Sequence, residues 1–251
     1  MIREAALGAH MAVTAEQMRE VDRRAVSVYQ VSLPQMMENA GRALARVARE
    51  HFFEGHAGGA RVAVLAGTGG NGGGAMVAAR RLAGWGARVH VLATADEAAM
   101  APVTAQQART LRAFGVRLVK LGDGDRREAP AASDFDLVLD GLLGYGGLDE
   151  PRGMVRDAIA WVANAATAVL ALDLPSGLDA TTGHPAATTV RASATVTLAA
   201  PKTGLAAPAS AVHVGELYLA DIGIPAEAYG GILDVAAVGE WFVEDDVVRL
   251  R

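Results

Sequence analysis

Two apolar runs in this chain end in aspartate, and each aspartate opens onto glycine. Asp140 closes the run 137–140 and begins DGLLGYGG; Asp173 closes the run 168–173 and begins DLPSGLD, with Gly183 soon after. A carboxylate at the end of a buried strand is costly unless it is solvated, hydrogen-bonded or bound to a cation. A single one commonly organises its own loop by accepting from backbone N–H groups. Two of them beside glycine-rich loops, with a third glycine cluster in register, point to a cleft for a small ligand. That third cluster, Gly67-Thr68-Gly69-Gly70-Asn71-Gly72-Gly73-Gly74, lies between the apolar run 62–66 and the helix-forming run 76–82. Strand, glycine turn and helix together aim backbone N–H groups at an anion. Glycine also lets the main chain approach a phosphate with no Cβ in the way. A nucleotide-like ligand is the first reading.

The rest of the pattern has to position these three loops. Thr14 can cap a helix, with Gln17 at the capping-box position, running to about Tyr29; Pro34 opens a second helix through MMENAGRALARVARE. Strands are expected at 62–66, 88–92, 117–120, 137–140, 168–173, 194–198 and 216–219. Helices are expected at 71–85, 103–114 and 154–163, with a short turn near Ala226. Several strands are apolar on both faces, as in a parallel sheet covered on each side. The pattern predicts an α/β fold, a three-layer α/β/α sandwich on a Rossmann-like, mostly parallel sheet with two N-terminal helices. In such sheets ligands sit at the carboxyl ends of strands. A single domain spans 11–230, after a flexible tail at 1–10 and before a C-terminal extension at 231–251; Met1 and Met11 are both possible starts. The stretch LGDGDRREAPAASD reads as a surface loop, not a linker.

Composition narrows the function. The chain has 251 residues, 51% hydrophobic, with no cysteine, which removes disulfides, thiolate metal sites and a cysteine nucleophile. The net charge is −5 with no basic tract, against general nucleic-acid binding. The first ten residues lack the apolar core of a signal peptide, and no apolar run approaches the ~18 residues of a membrane helix. A cytoplasmic protein is the default. The six histidines show no ligand spacing; Met36, Met37, Trp85 and Trp161 read as packing residues, and Arg23, Arg24, Arg42, Arg46 and Arg49 as a solvated helix face. GTGGNG fits the dinucleotide pattern G-x-G-x-x-G, so an oxidoreductase is one alternative, but no acid ends the second strand, where Asp96 comes late.

Taken together, MMENAG at 36–41, VLAGTGGNGGGAMVAARRL, DGLLGYG, LDLPSGLDATTG, TLAAPKTGL and ADIGIP resemble the NAD(P)H-hydrate epimerase family, also known as the YjeF N-terminal domain, which includes apolipoprotein A-I-binding protein. The resemblance runs from about Thr14 to Pro225. It implies a Rossmann-like sandwich, often dimeric, that interconverts the R and S forms of NADHX and NADPHX, in which water has added to the nicotinamide ring. Those hydrated nucleotides would be substrates, not cofactors. A separate NAD(P)H-hydrate dehydratase would act in the same pathway, since no dehydratase domain follows in this chain.

Carried over by position, the resemblance makes Asn71, Asp140 and Ser176 the ligands of one potassium ion (K+) per subunit. Gly70, Asn71, Gly72, Gly73 and Gly74, with Gly144, Tyr145, Gly146 and Gly147, would hold the substrate's phosphates and ribose. Asp173 would face the hydrated ring as the acid–base group, with Lys202 orienting it or holding a phosphate. The glycine loop departs from the family's Asn-Asn-Gly-Gly-Asp-Gly: Gly70 replaces the first Asn, Gly74 the Asp and Ala75 the last Gly. Loss of that carboxylate opens a second reading, a non-catalytic or divergent nucleotide-binding scaffold on the same fold. Asp149 and Glu150 are the nearby acids that could replace it.

Overall fold

The computed structural model describes residues 2–4, 11–122, 130–147, 150–163 and 165–250. Residues 123–129 of the loop expected at 121–134, most of the N-terminal tail and Asp149 lie outside the described residues. The remaining chain alternates strand and helix: β1 (Arg3–Glu4), α1 (Ala15–Ser27), α2 (Leu33–Val47), β2 (Arg61–Ala66), α3 (Gly70–Gly84), β3 (Arg88–Ala93), α4 (Pro102–Ala113), β4 (Arg117–Lys120), β5 (Leu137–Gly141), α5 (Gly153–Ala163), β6 (Ala168–Leu172), β7 (Ala194–Leu198), α6 (Ala211–Val214), β8 (Glu216–Ala220), α7 (Val235–Glu240) and β9 (Val247–Arg249).

The strands form one sheet in the order β1-β9-β8-β7-β6-β5-β2-β3-β4. Every pairing is parallel except β8 with β9. From β2 the chain winds outward to β3 and β4, then returns to place β5 on the opposite side of β2. The order therefore reverses between β2 and β5, and the crevice outside their carboxyl ends is the natural ligand position.

Alternate strand residues feed different layers. Val62, Val64, Val91, Leu139, Leu170 and Val196 pack on one face with residues of α2, α3 and α4. Ala63, Leu65, Val138, Val169 and Ala171 pack on the other with Ala158, Ile159 and Val162 of α5. Burying both faces makes the central strands near-continuous apolar runs, which is why they were readable as a parallel sheet.

Described residues from both ends of the chain meet at one edge of the sheet. Arg3–Glu4, inside the expected tail, pair with β9, and the expected extension contributes α7 and β9 to the sheet edge. Two of the arginines expected to be solvated tie this segment down. Arg46 pairs with Asp245 and Asp246, and Arg42 with Asp246.

Candidate active site

The loop after β2 threads beneath the loop after β5. A Cβ on Gly67 would lie 2.1 Å from the Leu142 carbonyl oxygen, and one on Gly72 would lie 1.9 Å from the Gly67 oxygen. Only glycine permits these backbone approaches. The Gly67 N–H donates to the Gly141 carbonyl at 3.1 Å and fastens the two loops together. Helix α3 begins here with Gly69 at its N-cap and no side-chain cap, so its first N–H groups remain available to an anion.

Asp140 holds the next loop from below. It is 0% exposed. Its Oδ2 accepts from the Ser176 N–H at 2.8 Å; its Oδ1 accepts from the Ser176 hydroxyl at 2.7 Å and from the Leu142 N–H at 3.2 Å. Burial pushes its carboxyl above the ordinary aspartate range, against the pull of those donors. Ser176 Oγ also accepts from the Leu143 N–H at 2.9 Å. The Leu143 carbonyl in turn accepts from Asn71 Nδ2 at 2.8 Å, as does the Leu172 carbonyl. Asn71, Asp140 and Ser176 are thus joined in one hydrogen-bond chain running through Leu143.

Asp173 sits differently. Its φ is +68°, and the Leu174 N–H donates to the Leu172 carbonyl across it at 2.9 Å, a γ-turn. Ala199, at the end of neighbouring β7, repeats the turn with φ +65° and an Ala200-to-Leu198 bond of 2.7 Å. Left-handed non-glycine residues cost of order 1–3 kcal/mol each and cluster at functional sites. Lys202, 1% exposed, joins the two turns: its Nζ donates to Asp173 Oδ1 at 2.5 Å and to the Leu198 carbonyl at 2.7 Å. Asp173 Oδ2 accepts from the Tyr145 N–H at 3.1 Å.

These loops border a cavity of about 590 Å³ at the switch point, a volume suited to a small organic ligand. Gly69, Gly70, Asn71, Gly144, Tyr145, Gly146, Gly147 and Asp173 line it. Gly72, Gly73 and Gly74 are not among the residues that line it. Gly72 is pressed on Gly67, a Cβ on Gly73 would meet Met37 Sδ at 2.5 Å, and one on Gly74 would meet Leu172 Cδ2 at 2.9 Å. They face inward because α3 turns its side away from the cavity after its first residues. Asp140, Ser176 and Lys202 lie just behind the wall. Glu150 is committed elsewhere, accepting from the Ala187 and Thr188 N–H groups, and so does not substitute at the α3 N-terminus.

Sequence reasoning missed the apolar side of this cavity. Leu33, Met36, Met37 and Ala40 come from α2, and Ala101 and Val103 from the start of α4. MMENAG carries the first of these, but methionines at helical spacing are indistinguishable from core residues in a sequence. Asp22 of α1 also lines the cavity and was not singled out.

Comparisons with known proteins settle the lineage. The family model described as YjeF-related protein N-terminus matches residues 33–204. The chain belongs to the YjeF N-terminal family. It is 41% identical over 217 residues to an NAD(P)H-hydrate epimerase of Dehalogenimonas lykanthroporepellens, covering 86% of this chain and 84% of that one. It is 36% identical to another of that name from Rhodopirellula baltica, covering 86% and 85%. It also matches the bifunctional NAD(P)H-hydrate repair enzyme Nnr of Moorella thermoacetica at 35% identity, over 85% of this chain and 40% of that enzyme. The solved structure of yeast YNL200c superposes with a TM-score of 0.77 over 95% of this chain and 99% of the yeast chain, at 21% identity, and shares the fold. As a member of the YjeF N-terminal family, this chain carries aspartates at the ends of two strands and glycine at position 74 of its α3 segment.

Proposed function

We propose that this protein is an NAD(P)H-hydrate epimerase, interconverting the R and S forms of hydrated NADH and NADPH. The observation that carries the reading is Asp173, held on a strained turn by Lys202 at the edge of a cavity that also opens on the N-terminus of α3. The relatives' activity and the family membership support it.

Epimerisation at the hydrated carbon requires its C–O bond to break and re-form on the other face. A proton drawn from the Asp173–Lys202 pair passes to the departing hydroxyl, which leaves as water. The ring nitrogen's lone pair fills the vacated position and gives a cationic iminium. The Asp173 carboxylate lies beside that charge and stabilises it. Water then adds to the opposite face, and its proton returns to the pair. The N–H groups at the start of α3 would hold a phosphate, and Gly70, Asn71 and the segment Gly144–Gly147 the adjoining sugar.

The donor set suits potassium. Asn71, Asp140 and Ser176 offer only oxygen to a hard cation, and no donor among the described residues reaches Asn71 Oδ1. Asp140 receives three hydrogen bonds, leaving carboxylate lone pairs for a fourth partner. A cation held there would supply fixed positive charge beneath the α3 loop. We infer further a cytoplasmic homodimer, supported by the exposed apolar side chains Val28, Tyr29 and Leu33 where α1 meets α2. The bifunctional relatives support a separate dehydratase acting in the same pathway.

The test is chromatographic. Pure (R)-NADHX mixed with the protein is expected to convert to the S form faster than in buffer, and faster with potassium than with choline. Nucleotide binding without conversion would favour the scaffold reading, motivated by Gly74.

A further inference from the structure

Asp22 stands mid-way along α1, half-buried on the cavity wall. Burial raises its carboxyl above the ordinary aspartate range, with Tyr145, Lys202 and Asp173 as the groups that act on it. A half-buried carboxylate needs a partner, and among the described residues Asp22 makes no ion pair. Its hydrogen bond is to the phenol of Tyr145, which donates to Asp22 Oδ2 from 123 positions away in sequence.

Tyr145 is the only side chain beyond hydrogen in the segment Gly144–Gly147. Glycines on both sides give this backbone more conformational freedom than any other residue would. One backbone bond closes the turn, from the Gly147 N–H to the Gly144 carbonyl at 3.0 Å, and the tyrosine at its centre ties the turn to the rest of the site. The phenol is tied to Asp22, while Lys202 Nζ lies 5.8 Å and Arg19 Cζ 6.0 Å from the ring centroid. The backbone N–H of the same residue donates to Asp173 Oδ2 at 3.1 Å. One residue thus connects α1 to the oxygen of Asp173 that Lys202 does not hold.

We propose that Asp22 is a positioning residue of this active site, anchoring Tyr145 so that the Tyr145 amide holds Asp173 in its working orientation. The proposal rests on the epimerase reading for its kinetic consequences, but not for its structural one.

Three variants test it: Asp22→Ala, Asp22→Asn, which keeps an oxygen acceptor in nearly the same shape, and Tyr145→Phe, which keeps the ring. Hydrogen–deuterium exchange of a peptide covering 142–147 reads the anchor without any substrate. Exchange is expected to rise about tenfold in Asp22→Ala and Tyr145→Phe, and less in Asp22→Asn, while β5 stays protected. In the epimerisation assay kcat is expected to fall about ten- to hundredfold in Asp22→Ala and Tyr145→Phe with KM within about threefold. The double variant Asp22→Ala/Tyr145→Phe is expected to be no slower than either alone, because both break one contact. Unchanged exchange at 142–147 in all three variants would overturn the anchor whatever the activity. Multiplying losses in the double variant, or a rise in KM alone, would overturn the positioning role. A parent protein that does not epimerise, yet shows the exchange pattern, would defeat the epimerase reading and leave the anchor standing.

Discussion

Asp140 and Asp173 start from the same sequence situation, an apolar strand of a parallel sheet ending in a carboxylate beside glycine, and the fold treats them oppositely. Asp140 is sealed from solvent: its oxygens accept from Ser176 and Leu142, which ties two loops together and still leaves a carboxylate lone pair over. Asp173, itself buried, is redirected by a positive-φ turn, paired with a lysine from the next strand end and brought to the cavity edge. The contrast teaches that chemistry at a strand end is decided by the turn that follows. A loop that folds back onto the carboxylate makes a clasp; a γ-turn that redirects it makes a reactive group.

The sharpest way to break this contrast is to neutralise the reactive member. Asp173→Asn is expected to lower the epimerisation rate by about 10²- to 10⁴-fold, measured from pure (R)-NADHX. A rate within threefold of the parent would remove Asp173 from the chemistry.

Next comes its cation. Lys202→Met leaves a buried carboxylate unpaired and is expected to cost about 3–5 kcal/mol in urea unfolding. The double variant Asp173→Asn/Lys202→Met is expected to recover most of that stability while staying as inactive as Asp173→Asn. Recovery of activity along with stability would show the pair to be structural.

For the sealed member the expectation reverses. Asp140→Asn turns one acceptor towards Ser176 into a donor and is expected to cost about 1–3 kcal/mol of stability. Potassium should no longer stabilise that variant in thermal melts. A variant as stable as the parent and still responsive to potassium would contradict the clasp.

The smallest effect is the pH dependence of the potassium response. Burial raises the folded-state pKa of Asp140 above its unfolded value. Between the two values the folded protein holds a proton that the unfolded chain lacks, so this group lowers stability as pH rises through that window. A cation favours the ionised form and opposes the loss. Potassium, against choline at equal ionic strength, is therefore expected to stabilise by about 1–2 kcal/mol near neutral pH at roughly ten times its Kd, and by less near pH 4. Asp22, whose pKa is also raised, adds a similar slope that does not depend on potassium. An equal response at both pH values would place the cation away from Asp140.

Much of this was legible before any coordinates. The central strands were readable because burial on both faces leaves continuous apolar runs, and both aspartates stood out as charges ending those runs. The edge strands were not: Arg3–Glu4 and Val247–Arg249 are short, and their pairing joins opposite ends of the chain. The redirecting turns at Asp173 and Ala199 were also hidden, since aspartate tolerates positive φ without requiring it and alanine gives no sign of it. The inward aim of Gly73 and Gly74 depends on Met37 and Leu172 packing against α3, a tertiary fact. Asp22 carried no signal, because a carboxylate on an amphipathic helix reads as solvated until a tyrosine from another loop reaches it.

The most direct measurement is oxygen exchange. Epimerisation is followed in water enriched in ¹⁸O, and the isotope is read by mass spectrometry in the hydrated nucleotide, with the spontaneous rate subtracted. C–O cleavage assisted by Asp173 predicts that ¹⁸O enters the ring hydroxyl at least as fast as the S form appears, and that both rates fall together in Asp173→Asn. Enzyme-driven appearance of the S form without ¹⁸O incorporation would contradict the account.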